Sequence, residues 1–270
     1  MKKKKVGIIG CGAIGGVIAE YLFKGRIEHL RLHRIFDIDV DKAGRLSDKY
    51  NVKSAKGLDD LFKSCDLVVE SARVSVVRPA LEMAVREKKD LLVLSVGGLL
   101  ICDDLFEKAY KAGINVLAPS GAVSGIDAVK AASVGKIERI TLTTYKPPRG
   151  LEGVAYIEEK GINLFAISED TEVFYGTVKE AVKHFPKNIN VAATVSLAAG
   201  MSKNMFVRII ASPLLATNVH ELKVEGSQGI IVTRTENAPS PVNPKTSFMA
   251  VLSALKRLSD YDRPGLFIGT

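Results

Sequence analysis

The sequence predicts an α/β protein in which an N-terminal, doubly wound parallel sheet precedes a second α/β domain with a mixed or antiparallel sheet. Short apolar runs alternate with helical periods over the first 120 residues, as is typical of a parallel sheet with crossover helices. A glycine-rich turn joins the first of these runs to the first helix. Beyond residue 120 the apolar runs are longer and richer in β-branched residues, which favours a mixed or antiparallel sheet.

The first domain is expected to cover residues 1–120. Its strands are predicted at 6–9, 32–38, 66–70, 91–96 and 114–118, and its helices at 12–24, 41–49, 56–63, 75–88 and 103–111. The first helix follows from the spacing of its apolar residues, which are Ile14, Val17, Ile18, Tyr21 and Leu22.

The glycine-rich turn has the pattern G-x-G-x-x-G and lies between a strand and a helix. The first glycine permits a tight turn, the second allows backbone to approach a pyrophosphate, and the third lets the helix pack on the strand. The N-terminus of the helix then presents a partial positive charge to phosphate groups. The turn therefore predicts a dinucleotide site that comprises Gly10, Cys11, Gly12, Ala13, Ile14 and Gly15.

An acidic residue ends the second predicted strand, at the place where a Rossmann domain binds the adenosine ribose. Asp37 lies about 20 residues beyond the glycines, and its negative charge would oppose the 2′-phosphate of NADP. The sequence thus favours NAD, with Asp39 as a second candidate acid. Basic side chains nearby leave dual use of NAD and NADP open; they are Arg31, Arg34 and Lys42. The alternative is an ordinary glycine turn followed by a solvated aspartate.

Two loops at the carboxyl ends of predicted strands are also expected to line the cofactor site. One is 70–72, which contains Ser71 and Ala72, and the other is 95–99. Their small residues would let a dinucleotide approach the backbone. Alternatively, these residues do no more than turn the chain.

The second domain is expected to cover residues 121–245. It begins with the small-residue run 120–125, and its strands are predicted at 139–145, 206–211, 220–225 and 229–235. A final helix, at about 246–258 within the segment 246–270, is expected to pack back on the first domain.

Composition narrows the classes of protein. The net charge of +8 is spread along the chain, without the basic stripe and interleaved aromatics of a nucleic-acid-binding surface. No run approaches the roughly 18 apolar residues of a membrane span. The three cysteines are far apart, which predicts reduced thiols in the cytoplasm and neither disulfides nor a metal site. We therefore expect a cytoplasmic protein without nucleic-acid or membrane partners.

Four segments of the second half complete a more specific pattern. They are 146–148 (Lys-Pro-Pro), 185–193, 212–220 and 236–247. Together with the glycine turn and the run Ser120-Gly121-Ala122, they resemble the L-aspartate dehydrogenase family over essentially the whole chain.

The resemblance implies a Rossmann domain followed by an α/β domain that binds substrate and forms a homodimer. Family members oxidise L-aspartate to iminoaspartate with NAD(P), and the imine hydrolyses to oxaloacetate and ammonia or passes to quinolinate synthase for NAD biosynthesis. The family's catalytic histidine corresponds to His220. Its contacts to the nicotinamide end of the cofactor correspond to Ala122 and Asn190.

Histidine also suits this chemistry independently of the resemblance. Amine oxidation and imine hydrolysis both need proton transfer near neutral pH, and the ordinary pKa of histidine is near 6.5. Asn218 precedes His220 at strand spacing, so the two side chains are expected on one face. The alternative is that His220 is a structural residue.

Aspartate is a dicarboxylate, so its pocket needs donors for two carboxylates. The candidates are Lys146, Asn218, Lys245, Thr246 and Ser247. Thr246 could also cap the final helix and expose its amides to a carboxylate. Lys146 could equally be a solvated side chain. Asn188 and Asn190 are candidates for the nicotinamide carboxamide, although Asn188 could simply cap the following helix.

Two other classes of protein remain open from the residues. One is a related reductase similar to dihydrodipicolinate reductase or homoserine dehydrogenase. The other is a regulator that senses NAD and binds DNA, but the chain offers no segment for a DNA-binding module outside the two predicted domains.

Overall fold

The computed structural model describes residues 3–185, 189–266 and 268–269, with the backbone alone at 244 and 245. The chain divides into two compact units. Unit 1 comprises Met1–Pro119 and Val251–Gly265, and unit 2 comprises Ser120–Ala250 and Leu266–Thr270.

Unit 1 alternates strands and helices. Its elements are β1 (Lys4–Ile9), α1 (Ala13–Phe23), β2 (Leu30–Phe36), α2 (Val40–Tyr50), β3 (Lys53–Ser54), α3 (Leu58–Ser64), β4 (Leu67–Glu70), α4 (Val74–Glu87), β5 (Asp90–Val93), a 3₁₀ turn (Val96–Ile101), α5 (Asp103–Ala112) and β6 (Val116–Leu117). Within the described residues these strands form one parallel sheet in the order β3-β2-β1-β4-β5-β6. The chain adds β2 and β3 on one side of β1 and then crosses over to add β4, β5 and β6 on the other side. Ligands of such sheets bind at the carboxyl ends of the two strands between which this change occurs, here β1 and β4.

The core of unit 1 explains why its strands are short apolar runs. All four residues of β4 are buried, as are Leu91, Leu92 and Val93 of β5. Helices cover both faces of a parallel sheet, so neither face of its central strands needs polar side chains.

Unit 2 begins with a helix and is built on a second sheet. Its elements are α6 (Ile126–Ser133), β7 (Ile137–Lys146), α7 (Ala155–Glu159), β8 (Thr171–Thr177), α8 (Val178–His184), α9 (Asn190–Ala198), β9 (Met205–Ala211), β10 (Val219–Gly226), β11 (Gly229–Glu236), β12 (Pro239–Ser240) and β13 (Asn243–Ser247). The main sheet has the order β11-β10-β7-β9-β8, in which β7 and β9 are parallel and the other neighbours antiparallel. The prediction of an α/β fold with a parallel sheet and a second, mixed sheet is confirmed.

The two faces of the unit 2 sheet differ in chemistry. One face carries the apolar core, with Ile140, Leu142, Leu222 and Val224 among its buried residues. The other face carries charged and polar side chains, which include Arg139, Thr141, Thr143, Glu172, Arg208, Glu221, Lys223 and Glu225. This inside-outside alternation follows from the period of two along each strand.

Some elements differ from the sequence-based prediction. Strand β8 was not predicted, because a register irregularity between Glu172 and Phe174 leaves Val173 and Phe174 both buried and so hides the alternation. Strand β3 has two residues, too few for a pattern. The strand predicted at 91–96 ends at Val93, and the chain continues into the buried 3₁₀ turn.

The C-terminal helix, α10, covers Phe248–Asp260 and is shorter than the predicted segment 246–270. Thr246 and Ser247 belong to β13, where Asn243 Nδ2 donates to Thr246 Oγ1 at 3.1 Å. The interpretation of Thr246 as the cap of this helix is therefore wrong. The residues of α10 from Val251 onward belong to unit 1. No helix in the described part of the chain is both long and apolar enough to cross a membrane.

Candidate functional site

The glycine turn of unit 1 is closely packed at two of its three glycines. Gly10 has a φ of +95°, and a Cβ there would lie 2.8 Å from the backbone of Ser71. A Cβ on Gly15 would lie 1.9 Å from the carbonyl oxygen of Gly10. Side chains are therefore excluded at both positions by backbone atoms that cannot move aside cheaply.

Gly12 differs from these two glycines. It precedes the first residue of α1, and a Cβ there would meet no protein atom within 4 Å. The space beside Gly12 adjoins the N-terminus of an eleven-residue helix, where Ala13, Ile14 and Gly15 form the first turn. Backbone N–H groups in the first turn of a helix are suited to bind phosphate oxygens. The residues present thus fit a dinucleotide pyrophosphate.

Asp37 holds the glycine turn as well as its own loop. Its carboxylate accepts hydrogen bonds from the backbone N–H of Cys11 at 2.7 Å and of Asp39 at 2.9 Å. Burial and the nearby aspartates raise the pKa of the Cys11 thiol to about 12, so this cysteine stays protonated and unreactive.

Two of the basic residues near Asp37 have acidic partners. Lys42 forms an ion pair with Asp39 at 2.9 Å, and Arg34 forms one with Asp60 at 2.7 Å. Asp39 also accepts from the backbone N–H of Lys42 and so caps α2. These pairs leave the negative charge of Asp37 as the main feature that a ribose would meet.

The loop 70–72 packs directly on the glycine turn. Ser71 Oγ donates to the carbonyl oxygens of Ile9 at 2.9 Å and of Gly10 at 3.1 Å. The backbone N–H of Ala72 donates to the carboxylate of Glu70 at 2.8 Å. In the loop 95–99, a Cβ on Gly98 would lie 2.6 Å from the Val77 side chain, so this glycine serves helix packing.

A polar cluster lies at one end of the core-facing side of the unit 2 sheet. His220 pairs with Thr144 on one neighbouring strand and with Thr235 on the other. His220 Nδ1 and Thr144 Oγ1 are 3.0 Å apart. Lys146 and Asn218 lie two residues further along the same face, with Lys146 Nζ 3.4 Å from Asn218 Oδ1.

Burial controls the charge of this polar cluster. Lys146 is 7% exposed and His220 is 6% exposed. Burial lowers the pKa of Lys146 to about 8, and burial together with the charge of Lys146 lowers the pKa of His220 to about 4. At neutral pH the cluster therefore combines a cationic lysine with a neutral imidazole, an arrangement that favours an anionic ligand.

A buried asparagine that directly follows β11 supports the cluster. Asn237 is 4% exposed, and its backbone N–H donates to the carbonyl oxygen of Asn218 at 3.1 Å. Its side chain donates to the carbonyl oxygen of Ala122 at 3.0 Å and accepts from Ser247 Oγ at 2.5 Å. Asn237 thereby joins Ala122 and Ser247, two residues that the sequence predicts as site residues.

Thr144 and Asn237 were missed as site residues. The available signal was the alternation of side chains along β7. Ile140 and Leu142 face the core, and Thr144 and Lys146 continue the same alternation as polar residues. Such a change from apolar to polar on a buried face marks a site that binds something other than core side chains.

The remaining predicted residues are less closely connected to the cluster. Asn190 is exposed and begins α9, with Ile189 as its N-cap. Thr246 contacts Asn243 in β13. Asn188 and the side chain of Lys245 lie outside the described part of the structure. Among the described residues, no group of three or more histidine, cysteine or acidic residues could hold a metal ion.

Comparison with protein families assigns the two halves of the chain. Residues 10–119 match the family model described as homoserine dehydrogenase, NAD binding domain, and residues 127–261 match aspartate dehydrogenase, C-terminal.

Curated relatives match over nearly the full length. L-aspartate dehydrogenase of Methanosarcina mazei is 44% identical over 98% of this chain and 99% of its own, and that of Methanococcus maripaludis is 41% identical over the same shares. The crystal structure of aspartate dehydrogenase from Thermotoga maritima has the same fold, with a TM-score of 0.74 at 24% identity and coverage of 98% and 99%. This chain belongs to the L-aspartate dehydrogenase family.

Proposed function

We propose that this protein is an NAD(P)-dependent dehydrogenase that oxidises L-aspartate to iminoaspartate, which hydrolyses to oxaloacetate and ammonia. The observation that carries the proposal is the buried polar cluster of His220, Thr144, Lys146 and Asn218. It occurs in a chain whose curated relatives, at 41–44% identity, are named L-aspartate dehydrogenases.

The cofactor site is assigned to unit 1. Backbone N–H groups of the glycine turn, from Gly10 to Gly15, would hold the pyrophosphate, and Asp37 would accept hydrogen bonds from the adenosine ribose. Because Lys42 and Arg34 are engaged with acidic partners, we expect NAD to bind more tightly than NADP. When bound, NAD(P)⁺ supplies the hydride acceptor for the Cα hydrogen of the substrate.

Further cofactor contacts are proposed beside the glycine turn and at the nicotinamide end. Ser71 and Ala72 border the glycine turn in unit 1. Ala122 and Asn190 are proposed because they correspond to the family's contacts to the nicotinamide end, and Asn188 because its side-chain amide precedes the helix that Asn190 begins and could hold the nicotinamide carboxamide.

The substrate carboxylates are assigned to unit 2. The Lys146 ammonium offers a charge-assisted hydrogen bond to one carboxylate, and Asn218 both orients that lysine and offers an amide N–H. Ser247 is anchored by Asn237. Lys245, Thr246 and Ser247 are proposed as donors to the second carboxylate, with Ser247 exchanging its hydrogen bond to Asn237 Oδ1 for one to the substrate.

His220 is proposed as the acid-base residue. Its low pKa keeps the imidazole neutral, so one ring nitrogen has a lone pair that can accept a proton. When Nδ1–H donates to Thr144, that lone pair is on Nε2. The negative charge of a bound dicarboxylate raises the pKa of His220 toward neutrality, so the imidazole can take a proton from the substrate ammonium and release it to solvent. It can then take a proton from the water that attacks the imine and return that proton to the nitrogen that leaves as ammonia.

Three further properties belong to the same proposal. The protein acts in the cytoplasm, and its imine product passes to quinolinate synthase for NAD biosynthesis when it is not hydrolysed.

The protein forms a homodimer. The charged face of the unit 2 sheet supports this, because both signs alternate there, with Arg208 paired to Glu172 and Arg234 to Glu221, and a two-fold interface must complement itself.

The deciding experiment is a substrate panel. The purified protein is incubated with NAD and, separately, with aspartate, glutamate, alanine and homoserine, and the absorbance of reduced cofactor is followed. We expect reduction with aspartate, accompanied by equal amounts of oxaloacetate and ammonia. Activity with homoserine or glutamate but not with aspartate would contradict the proposal.

A further inference from the structure

Glu70 is a buried acid that the proposed function does not use. It is the last residue of β4 and has no exposed surface. The three residues before it, Leu67, Val68 and Val69, are equally buried but apolar. A carboxylate at such a place lowers stability unless donors surround it.

The donors come from two different loops. Glu70 Oε1 accepts from the backbone N–H of Ala72 at 2.8 Å and from Ser95 Oγ at 2.9 Å. Its Oε2 accepts from the backbone N–H of Ser95 at 2.9 Å. Burial raises the pKa of the carboxyl group, whereas these donors, with the backbone N–H of Arg73, act in the opposite direction.

One of these loops, 70–72, supports the glycine turn. The backbone N–H of Ser71 donates to the carbonyl oxygen of Ile9 at 2.8 Å, and its hydroxyl bonds to Ile9 and Gly10. On the other side, Gly98 N–H donates to the carbonyl oxygen of Ser95 at 2.8 Å and starts the 3₁₀ turn. A continuous series of hydrogen bonds therefore runs from the glycine turn through Glu70 to the loop that follows β5.

Every partner of Glu70 lies at the carboxyl edge of the parallel sheet, the edge at which this fold binds its ligand. An apolar residue would fill the space without holding either loop. We propose that Glu70 is a positioning residue for the cofactor: its carboxylate ties the loop 70–72, which packs on the glycine turn, to the loop 95–98 and thereby sets the affinity for the dinucleotide. This inference rests on the proposed NAD(P) site in unit 1.

The principal test is Glu70→Gln. This variant keeps the shape of the side chain but replaces one acceptor oxygen with an NH2 group, a donor that would face the N–H and O–H donors of the two loops. The control is Asp90→Asn. Asp90 is also a carboxylate that joins separate segments of unit 1, since it accepts from Asn115 N at 2.8 Å and from Tyr261 OH at 2.7 Å. It begins β5 and so lies at the opposite, amino edge of the sheet.

NADH dissociation constants are measured by titration of NADH fluorescence, together with thermal unfolding of each variant. The chain has no tryptophan, which keeps the protein background low. We expect Glu70→Gln to raise the NADH dissociation constant about tenfold or more, and to raise KM for NAD while KM for aspartate changes less than about threefold. Asp90→Asn is expected to lower the unfolding temperature but to leave NADH affinity within about twofold.

Equal loss of NADH affinity in both variants would show a general stability effect and overturn the inference, as would unchanged affinity in Glu70→Gln. If Glu70→Gln does not fold, Ser95→Ala removes one donor and keeps the carboxylate. Its NADH dissociation constant should rise about two- to fivefold, and no change there overturns the inference. If the wild-type chain itself does not bind NADH, the proposed function fails and this inference fails with it.

Discussion

The glycine turn of unit 1 and the polar cluster of unit 2 are built in different ways. In the turn, six consecutive residues act through their backbone, and two of the glycines are required by contacts within unit 1. In the cluster, side chains from separate strands act together, and His220 and Thr144 are 76 residues apart. The proposed cofactor site is thus a local motif, whereas the proposed substrate site depends on strand register.

The largest expected effect tests whether proton transfer depends on a residue of unit 2 that takes no part in cofactor binding by unit 1. His220→Ala should lower kcat about 10²- to 10⁴-fold, the usual contribution of a positioned acid or base. NADH affinity should be unchanged, because the glycine turn is intact. Steady-state kinetics and NADH titration check both parts, and full activity of the variant would make His220 a structural residue.

The second prediction separates ligand space from packing within the glycine turn. Gly12→Ala places a methyl group where the structure has no protein atom, so folding should be unaffected while NADH affinity falls about tenfold or more. Gly15→Ala instead places a methyl group against the Gly10 carbonyl and should destabilise unit 1. Thermal unfolding and NADH titration of both variants are the measurements. Normal NADH affinity in Gly12→Ala would place the pyrophosphate elsewhere.

The third prediction uses the pKa of Lys146. Succinate is a dicarboxylate without an amino group, so its inhibition reports the carboxylate site without titration of the substrate amine. Lys146 is charged below its pKa of about 8 and neutral above it. The inhibition constant of succinate should therefore rise about tenfold per pH unit above about 8, where His220 is neutral with or without succinate and Lys146 is the one of the two groups that titrates.

Two variants sharpen this pH dependence. Lys146→Arg keeps its charge and should shift the rise to much higher pH, while Lys146→Met should weaken succinate about 10- to 100-fold at pH 7 and abolish the dependence. The same pH dependence in Lys146→Met as in the wild type would show that another group binds the carboxylate.

The smallest expected effect concerns the orientation of His220. Thr144→Val removes the hydroxyl beside Nδ1 and should lower kcat about two- to tenfold, the value of one neutral hydrogen bond. Thr144→Ser keeps the hydroxyl and should recover most of the activity. A change in KM for aspartate without a change in kcat would indicate that Thr144 shapes the pocket and does not orient the imidazole.

Most of the fold was predictable, and less of the site. The strands β1, β2, β4 and β10 were recognised from apolar runs, because burial imposes a pattern on consecutive residues. Strand β8 was missed since its irregular register places two buried residues in sequence. Thr246 was taken for a helix cap, although β12 and β13 extend the strand pairing to Ser247 and delay the helix until Phe248.

The sequence by itself determined the glycine turn, the acid at Asp37 and the alternation of strands and helices, because each depends on neighbours along the chain. Tertiary structure alone decided the surroundings of His220. Antiparallel pairing of β10 with β7 places Thr144 and Lys146 on the same face as His220 and Asn218, and β11 adds Thr235. Register over long separations is set by the packing of the whole sheet, so no local pattern can reveal it. The same holds for Glu70, whose donors belong to loops that meet after the parallel sheet has formed.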